Sequence, residues 1–201
     1  RYVITWGDGS LNSFLENGGV YTPESTGLYA TLTYDAGTQE YTYKTKSQVR
    51  YIFKRYVLST RTLWVLYKVS DRNNNTITLT WTPYPVGLTP STIRLFKVED
   101  PSGRYLQFAY ENDEPSKIKT VTAVTGSLTR SIGFAYENGF SDLRAYINVF
   151  GDSTLYLYED SLDLTRNHLL KQIRLPKGNL VDNTYEQRKF KSSQMAGQYQ
   201  T

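Results

Sequence analysis

Asp71-Arg72-Asn73-Asn74-Asn75 runs into Thr76-Ile77-Thr78-Leu79-Thr80-Trp81-Thr82, where threonine alternates with Ile, Leu and Trp. Asp and Asn close tight turns with their own side chains, and a period of two places Ile77, Leu79 and Trp81 on one face of a strand. The pattern recurs at Asp100-Pro101-Ser102-Gly103-Arg104 before Tyr105-Leu106-Gln107-Phe108-Ala109-Tyr110-Glu111, with Gly103 where Asn74 stood and Tyr110 where Trp81 stood. Upstream, the alternation predicts a hairpin around Trp6-Gly7-Asp8-Gly9-Ser10 and turns at Glu16-Asn17-Gly18-Gly19 and near Pro23. Strands are predicted at Tyr29–Asp35, Tyr41–Thr45, Val49–Phe53 and Thr62–Val69. Downstream it predicts strands at Ile93–Val98, Ile118–Val124, Ile132–Glu137, Leu143–Val149, Leu155–Glu159, Leu170–Leu175 and Asn183–Glu186. Only Glu159–Leu170 reads as a short helix, capped by Asp160 or Ser161. The expected fold class is all-β.

An aromatic residue followed by an acid closes strand after strand: Tyr34-Asp35, Tyr110-Glu111, Tyr136-Glu137, Tyr158-Glu159 and Tyr185-Glu186, with Trp81-Thr82 filling the missing beat. From Trp81 onward the beats fall 29, 26, 22 and 27 residues apart. A period in this window points to an array of strand-turn-strand units, each burying a face on the next. Tyr34, Trp81, Tyr110, Tyr136, Tyr158 and Tyr185 are expected to be the structural anchors, with rings packed inward and largely buried. Residues 1–60 then form a β segment preceding the regular repeats, and residues 61–201 the repeats themselves, in one continuous β-domain.

Composition narrows the chemistry. Cys is absent and His168 is the single histidine, which excludes disulfides, thiolate metal sites and multi-His centres. There is no run of about 18 apolar residues to span a bilayer. The chain opens at Arg1 directly in a strand-like run, and its one Met is Met195, so we expect a processed or excised piece of something longer.

Charge is unevenly spread. Of 23 basic residues, seven fall between Tyr41 and Ser70 (Lys44, Lys46, Arg50, Lys54, Arg55, Arg61 and Lys68), a stretch without Asp or Glu. The other 16 stand against 19 acidic groups. Interleaved with Tyr41, Tyr43, Tyr51, Tyr56 and Tyr67, this stretch is a candidate ligand-binding basic face, led by Lys44, Lys46, Arg50, Lys54, Arg55 and Arg61, for polysaccharide or a cell surface. The alternative is a solvated outer face whose lysines discourage edge pairing, or a surface complementary to the chain's own acidic strands. Nucleic acid is not the expected partner.

Catalytic candidates are thin. Gly151-Asp152-Ser153 has the look of an esterase nucleophile block, but an activated serine needs a base, and His168 has no evident orienting acid in the sequence. Glu111, Asp113 and Glu114 could hold Ca²⁺, although a solvated loop explains them as well. Asn74-Asn75-Thr76 matches a glycosylation triplet. No catalytic residue, metal or cofactor is expected, and the chain is expected not to be an enzyme.

The Asp71–Leu79 and Asp100–Arg104 motifs, the tyrosine-acid beats and Leu175-Pro176-Lys177-Gly178-Asn179 before Asn183-Thr184-Tyr185-Glu186 together resemble the Rhs/YD-repeat family. Trp6-Gly7-Asp8-Gly9-Ser10, Gly19-Val20-Tyr21-Thr22-Pro23 and Tyr51-Ile52-Phe53 resemble the segment that precedes such repeats. The resemblance implies an antiparallel β-ribbon that spirals into a hollow shell, as in bacterial polymorphic toxins, toxin-complex cocoons, wall-associated proteins and teneurins. The family's self-cleaving end has only a partial echo in Asp100-Pro101-Ser102-Gly103, so self-cleavage is not expected. The resemblance leads us to expect a structural segment of a secreted or surface protein, forming part of a shell for toxin encapsulation or cell contact. Its partners would be neighbouring repeats of a longer parent chain. A carbohydrate or cell-surface binding module and a self-assembling extracellular filament subunit are the alternatives.

Overall fold

The computed structural model describes residues 1–85, 90–111, 116–137, 142–159 and 168–185. They form sixteen strands in one open antiparallel sheet, and sheet order follows chain order throughout. The strands are β1 (Tyr2–Thr5), β2 (Leu11–Asn17), β3 (Val20–Pro23), β4 (Thr31–Asp35), β5 (Glu40–Lys44), β6 (Arg50–Val57), β7 (Thr62–Ser70) and β8 (Thr76–Tyr84). They continue as β9 (Thr92–Glu99), β10 (Tyr105–Tyr110), β11 (Ile118–Thr125), β12 (Leu128–Tyr136), β13 (Leu143–Ile147), β14 (Ser153–Tyr158), β15 (Leu170–Arg174) and β16 (Leu180–Asp182). The all-β expectation holds among the described residues. The final strand is displaced from the expected Asn183–Glu186 to Leu180–Asp182: the chain pairs as it leaves the Leu175–Asn179 turn, and 183–185 follow the strand. Residues 160–167, most of the expected short helix, lie outside the described residues, as does Glu186.

One turn chemistry recurs along one edge of the sheet. In each copy the first residue's N–H bonds the fifth residue's carbonyl, and the fourth residue's N–H bonds back to the first residue's carbonyl. This occurs at Trp6–Ser10, Thr45–Val49, Asp71–Asn75, Asp100–Arg104, Asn148–Asp152 and Leu175–Asn179. The fourth residue has positive φ in all six: Gly9, Gln48, Asn74, Gly103, Gly151 and Gly178. An Asx first residue reinforces the turn from its side chain. Asp71 Oδ1 accepts the Asn73 and Asn75 N–H groups at 2.8 and 2.9 Å, Asp100 Oδ1 those of Ser102 and Arg104 at 2.9 and 3.0 Å, and Asn148 Oδ1 those of Phe150 and Asp152 at 2.9 and 3.0 Å. The Asn75 amide and then the backbone donors hold the Asp71 carboxyl below its usual range, and Arg104 does the same first for Asp100. The equivalence of Asn74 and Gly103 read from the sequence is thus a shared left-handed backbone position.

The chain forms two compact units, Arg1–Ile132 and Gly133–Thr201. In the first, residues paired across strands share a face, so Tyr2, Ile4, Phe14, Tyr21, Leu32, Tyr41, Tyr43, Tyr51 and Phe53 line one side of β1–β6. On a flat sheet β1 and β5 would stand about 19 Å apart. The Tyr2 and Tyr41 ring centroids are instead 5.5 Å apart, and Trp6 lies 5.2 Å from Tyr43 and 5.0 Å from Tyr51. The sheet therefore curls, laying β1 and β2 over β5 and β6 with this face inside. Phe14, Ala30, Leu32 and Tyr43 are the buried centre of the curl. Asn12 Oδ1 is its polar clasp, accepting Trp6 Nε1–H at 2.6 Å and the Tyr43 hydroxyl at 3.1 Å.

In the second unit, Ala145 is buried and Gly133 stands opposite Ile147. A side chain at Gly133 would meet Ile147 Cδ1 at 3.2 Å, so glycine lets the Ile147 side chain lie against the strand. Phe134 and Tyr146 pair on the other face at 5.9 Å.

Gly103→Ala is expected to cost about 1 kcal/mol, because alanine is strained at positive φ, whereas Gln48→Gly, at the same turn position, is expected to be neutral within about 0.5 kcal/mol. Urea unfolding of the two variants checks the shared turn; equal losses would contradict it.

Candidate functional site

Four of the six expected anchors sit at a break in the ladder. Pairing shifts register between Thr80 and Trp81, Ala109 and Tyr110, Ala135 and Tyr136, and Leu157 and Tyr158. A further shift, between Ile52 and Phe53, belongs to the same series. In each case the following strand carries one extra residue: Tyr67, Phe96, Lys119, Arg144 or Lys171. Such bulges bend the strand and interrupt its hydrogen bonds.

The next anchor repairs the interruption. Trp81 Nε1–H donates to Leu66 O at 2.8 Å, and the hydroxyls of Tyr110, Tyr158 and Tyr185 donate to Leu95 O at 2.8 Å, Leu143 O at 3.1 Å and Leu170 O at 2.9 Å. All four reach back 15 residues. Each captured carbonyl precedes an extra residue, and its owner stands opposite the previous anchor: Leu66 opposite Phe53, Leu95 opposite Trp81, Leu143 opposite Tyr136 and Leu170 opposite Tyr158.

The rings are less covered than the sequence led us to expect. Trp81, Tyr110, Tyr136 and Tyr158 are half-buried and Tyr185 is 41% exposed, because each ring lies along an open sheet and covers a neighbouring backbone instead of entering a deep core. Tyr34 has a different place. It pairs with Tyr41 without a register shift and joins an aromatic group with Tyr41 at 4.7 Å and Trp64 at 6.0 Å. Phe53 is the member that sequence reading missed. It has no donor and no following acid, so only its 28-residue distance from Trp81 carried a signal.

The basic stretch does not make one face. Lys44 pairs with Arg50, and Glu40 with Lys54, so Lys44, Arg50 and Lys54 share the side away from the curl. Arg55 pairs with Trp64 on the opposite side, Lys46 lies in the Thr45–Val49 turn with its ammonium 5.1 Å from the Tyr29 ring centre, and Arg61 sits in the turn before β7 at the far edge. Strand pairing also returns an acid to the group. The Tyr67 hydroxyl donates to Glu40 Oε1, while Lys54 and Lys68 lie 5.9 and 4.9 Å from the Tyr67 ring centre. Arg50 likewise donates to Asn74 Oδ1. Burial and then Glu40 push the Tyr67 hydroxyl well above its ordinary range, and burial with the neighbouring Tyr2 and Tyr21 hydroxyls does so for Tyr41.

In the second unit, a cleft of about 490 Å³ is lined by Glu137, Asp142, Arg144, Tyr156, Tyr158, Glu159, His168 and Arg174 among others. Here the sequence reading is corrected. His168 does have an orienting acid, with Asp142 Oδ2 at 2.5 Å from Nδ1. The signal was their separation of 26 residues, one repeat length, like the 27 between Glu40 and Tyr67. An oriented imidazole can accept or pass a proton, and covalent catalysis needs a protein nucleophile beside it as well. Ser153 begins β14 just before the cleft-lining Leu155, and it lies about 17 Å along the strand from Tyr158, at whose end of the cleft Asp142 and His168 meet. The Tyr158 hydroxyl is engaged by Leu143 O, and its ionisation is pushed up by burial first and then by Asp142. Glu111 faces Lys119 Nζ at 3.5 Å, and Asp113 and Glu114 lie outside the described residues.

Tyr110→Phe removes one hydroxyl and leaves Leu95 O without its donor, an expected loss of about 1–2 kcal/mol. Trp81→Ala also removes half-buried ring contacts and should lose about 2–4 kcal/mol in urea unfolding. A Tyr110→Phe variant as stable as the parent would show that the captured carbonyls contribute nothing. For Tyr67 and Tyr41 the folded ionisation lies above the unfolded one near 10. Their contribution is whole below about pH 10 and is lost as pH rises further. Unfolding midpoints measured from pH 8 to 11 should therefore fall, and fall less steeply in Tyr67→Phe.

Comparison with known proteins gives no match to a family model and none to a curated protein.

Proposed function

We propose that this chain is a structural segment, part of the wall of a β-sheet shell of the Rhs/YD-repeat kind, in a secreted or surface protein that encapsulates a toxin or mediates cell contact. The observation that carries the reading is the use of the strand-end aromatics. Trp81, Tyr110, Tyr158 and Tyr185 spend their donors on backbone carbonyls 15 residues back, so the residues most repeated in the chain serve the sheet instead of a ligand. An array built this way lengthens by adding hairpins, each supported by its neighbours. The His168–Asp142 pair lends no rival reading as a covalent hydrolase, since Ser153 stands at the far end of β14 and the Tyr158 hydroxyl is already engaged.

Electron microscopy of the whole protein encoded by the reading frame that contains this segment tests the proposal. The expected particle is hollow, with this segment in a continuous β-wall. A particle without a lumen, or a reading frame that yields only single 23.1 kDa molecules, overturns it.

A further inference from the structure

An arginine without an acid stands where two hairpins of the first unit part. Pairing of β9 with β10 stops at Lys97 and Gln107, next to the extra residue Phe96. Beyond that point Tyr110 spans the gap by donating to Leu95 O, and Trp81, Ile93, Tyr110 and Ile118 border an opening of about 410 Å³. Arg94 lines it too, and is the one charged residue to do so among the described residues. Two rings hold its side chain: the guanidinium carbon lies 4.2 Å from the Tyr84 ring centre and 5.0 Å from that of Tyr110. A guanidinium stacked on rings keeps the N–H groups of its plane available. Among the described residues Arg94 spends none of them, since it makes no hydrogen bond or ion pair.

The repeat shows that this is unusual for the position. The four captured carbonyls belong to Leu66, Leu95, Leu143 and Leu170, and the residues before them are Val65, Arg94, Asp142 and Leu169. Two of these carry no charge, and Asp142 is matched by His168. The place of His168, two residues before the residue opposite Tyr158, corresponds to Ser116, two before Ile118 opposite Tyr110. Ser116 borders the opening, so a hydroxyl stands where the matching charge would be. A half-buried guanidinium already oriented by two rings receives an oxyanion without the cost of ordering its own side chain. We propose that this pocket binds a small apolar monocarboxylate, an aryl- or alkyl-carboxylic acid, with the carboxylate on the N–H fork of Arg94 and the apolar body against Trp81, Ile93 and Ile118. One cation in an otherwise uncharged lining matches one negative charge on an apolar body, whereas a phosphate dianion finds no second cation there. The walls come from β8 to β11, strands with a neighbour on each side, and the inference is independent of the proposed shell.

Titration of hydrocinnamate into the isotope-labelled full chain tests the proposal by nuclear magnetic resonance. The expected result is saturable shifts at the Arg94 Nε–H and the Trp81 indole N–H, with backbone shifts concentrated at residues 92–95 and 116–118. Arg94→Gln should weaken binding about tenfold or more, because it deletes a charge-assisted pair. Arg94→Lys keeps the charge without the fork and should weaken it severalfold. Hydrocinnamyl alcohol, the same body without the charge, should bind the unaltered chain about tenfold more weakly or not at all. That arm holds even if the Arg94 variants fail to fold. No saturable shift at Arg94 overturns the proposal, and so do shifts remote from the pocket or equal binding of acid and alcohol. Inorganic phosphate saturating the same resonances where hydrocinnamate does not would make the pocket a phosphate site, and the proposal would fall.

Discussion

A carbonyl set beside a bulge is the constraint on which the regular part of this sheet depends. Each extra residue, Tyr67, Phe96, Arg144 or Lys171, interrupts the ladder next to a leucine carbonyl, and a polar backbone group left without a partner in a half-buried sheet costs about 1–3 kcal/mol. The partner comes from the next hairpin. Trp81 needs the break opposite Phe53, Tyr110 the break opposite Trp81, and Tyr185 the break opposite Tyr158, so each unit completes the one before it. Phe14 is the largest fully buried side chain among the described residues, and stability is correspondingly distributed along the sheet instead of stored in one core.

The two edges of the sheet are made by different means. Along one edge, six five-residue turns repeat a single hydrogen-bond pattern, and side chains as different as Asp71, Thr45 and Leu175 open them because the backbone supplies the closing bonds. Along the other edge the aromatics end their strands, and side chains one repeat apart meet, as Asp142 meets His168. Chemistry that looks scattered in the chain is gathered there by the period.

What the sequence disclosed follows from the same division. Alternation and Asx-Gly turns are local, and they placed nearly every strand. The anchors were visible because Trp and Tyr at strand ends are conspicuous. The bulges were not, since no single residue type marks them (Tyr67 and Phe96 are aromatic, Lys119, Arg144 and Lys171 basic), and each reverses the facing of the residues after it. That reversal sets Leu66 and Lys68 on opposite faces although they are two apart, and it brings Lys68 to the side of Lys44, Arg50 and Lys54; the basic stretch divides because Lys54 and Arg55 are neighbours on one strand. Phe53 escaped notice for want of a hydroxyl, and Asp142 because its partner is a repeat away. The curl that brings Tyr2 to Tyr41 had no local signature at all.

The constant reach of 15 residues acts as a ruler. Anchors from Trp81 onward are spaced 22 to 29 residues apart, yet each of Trp81, Tyr110, Tyr158 and Tyr185 measures the same interval to its carbonyl. That interval spans the tight-turn hairpin, while the remainder of each unit is the return from one anchor to the next strand. In these four units length can therefore vary only in the return without detaching an anchor from its acceptor. Divergence in these four copies has an assigned place: added residues, or a whole inserted module, enter on the aromatic edge, while the hairpin from Ile118 to Tyr136, at 18 residues, is the copy that departs from the measure.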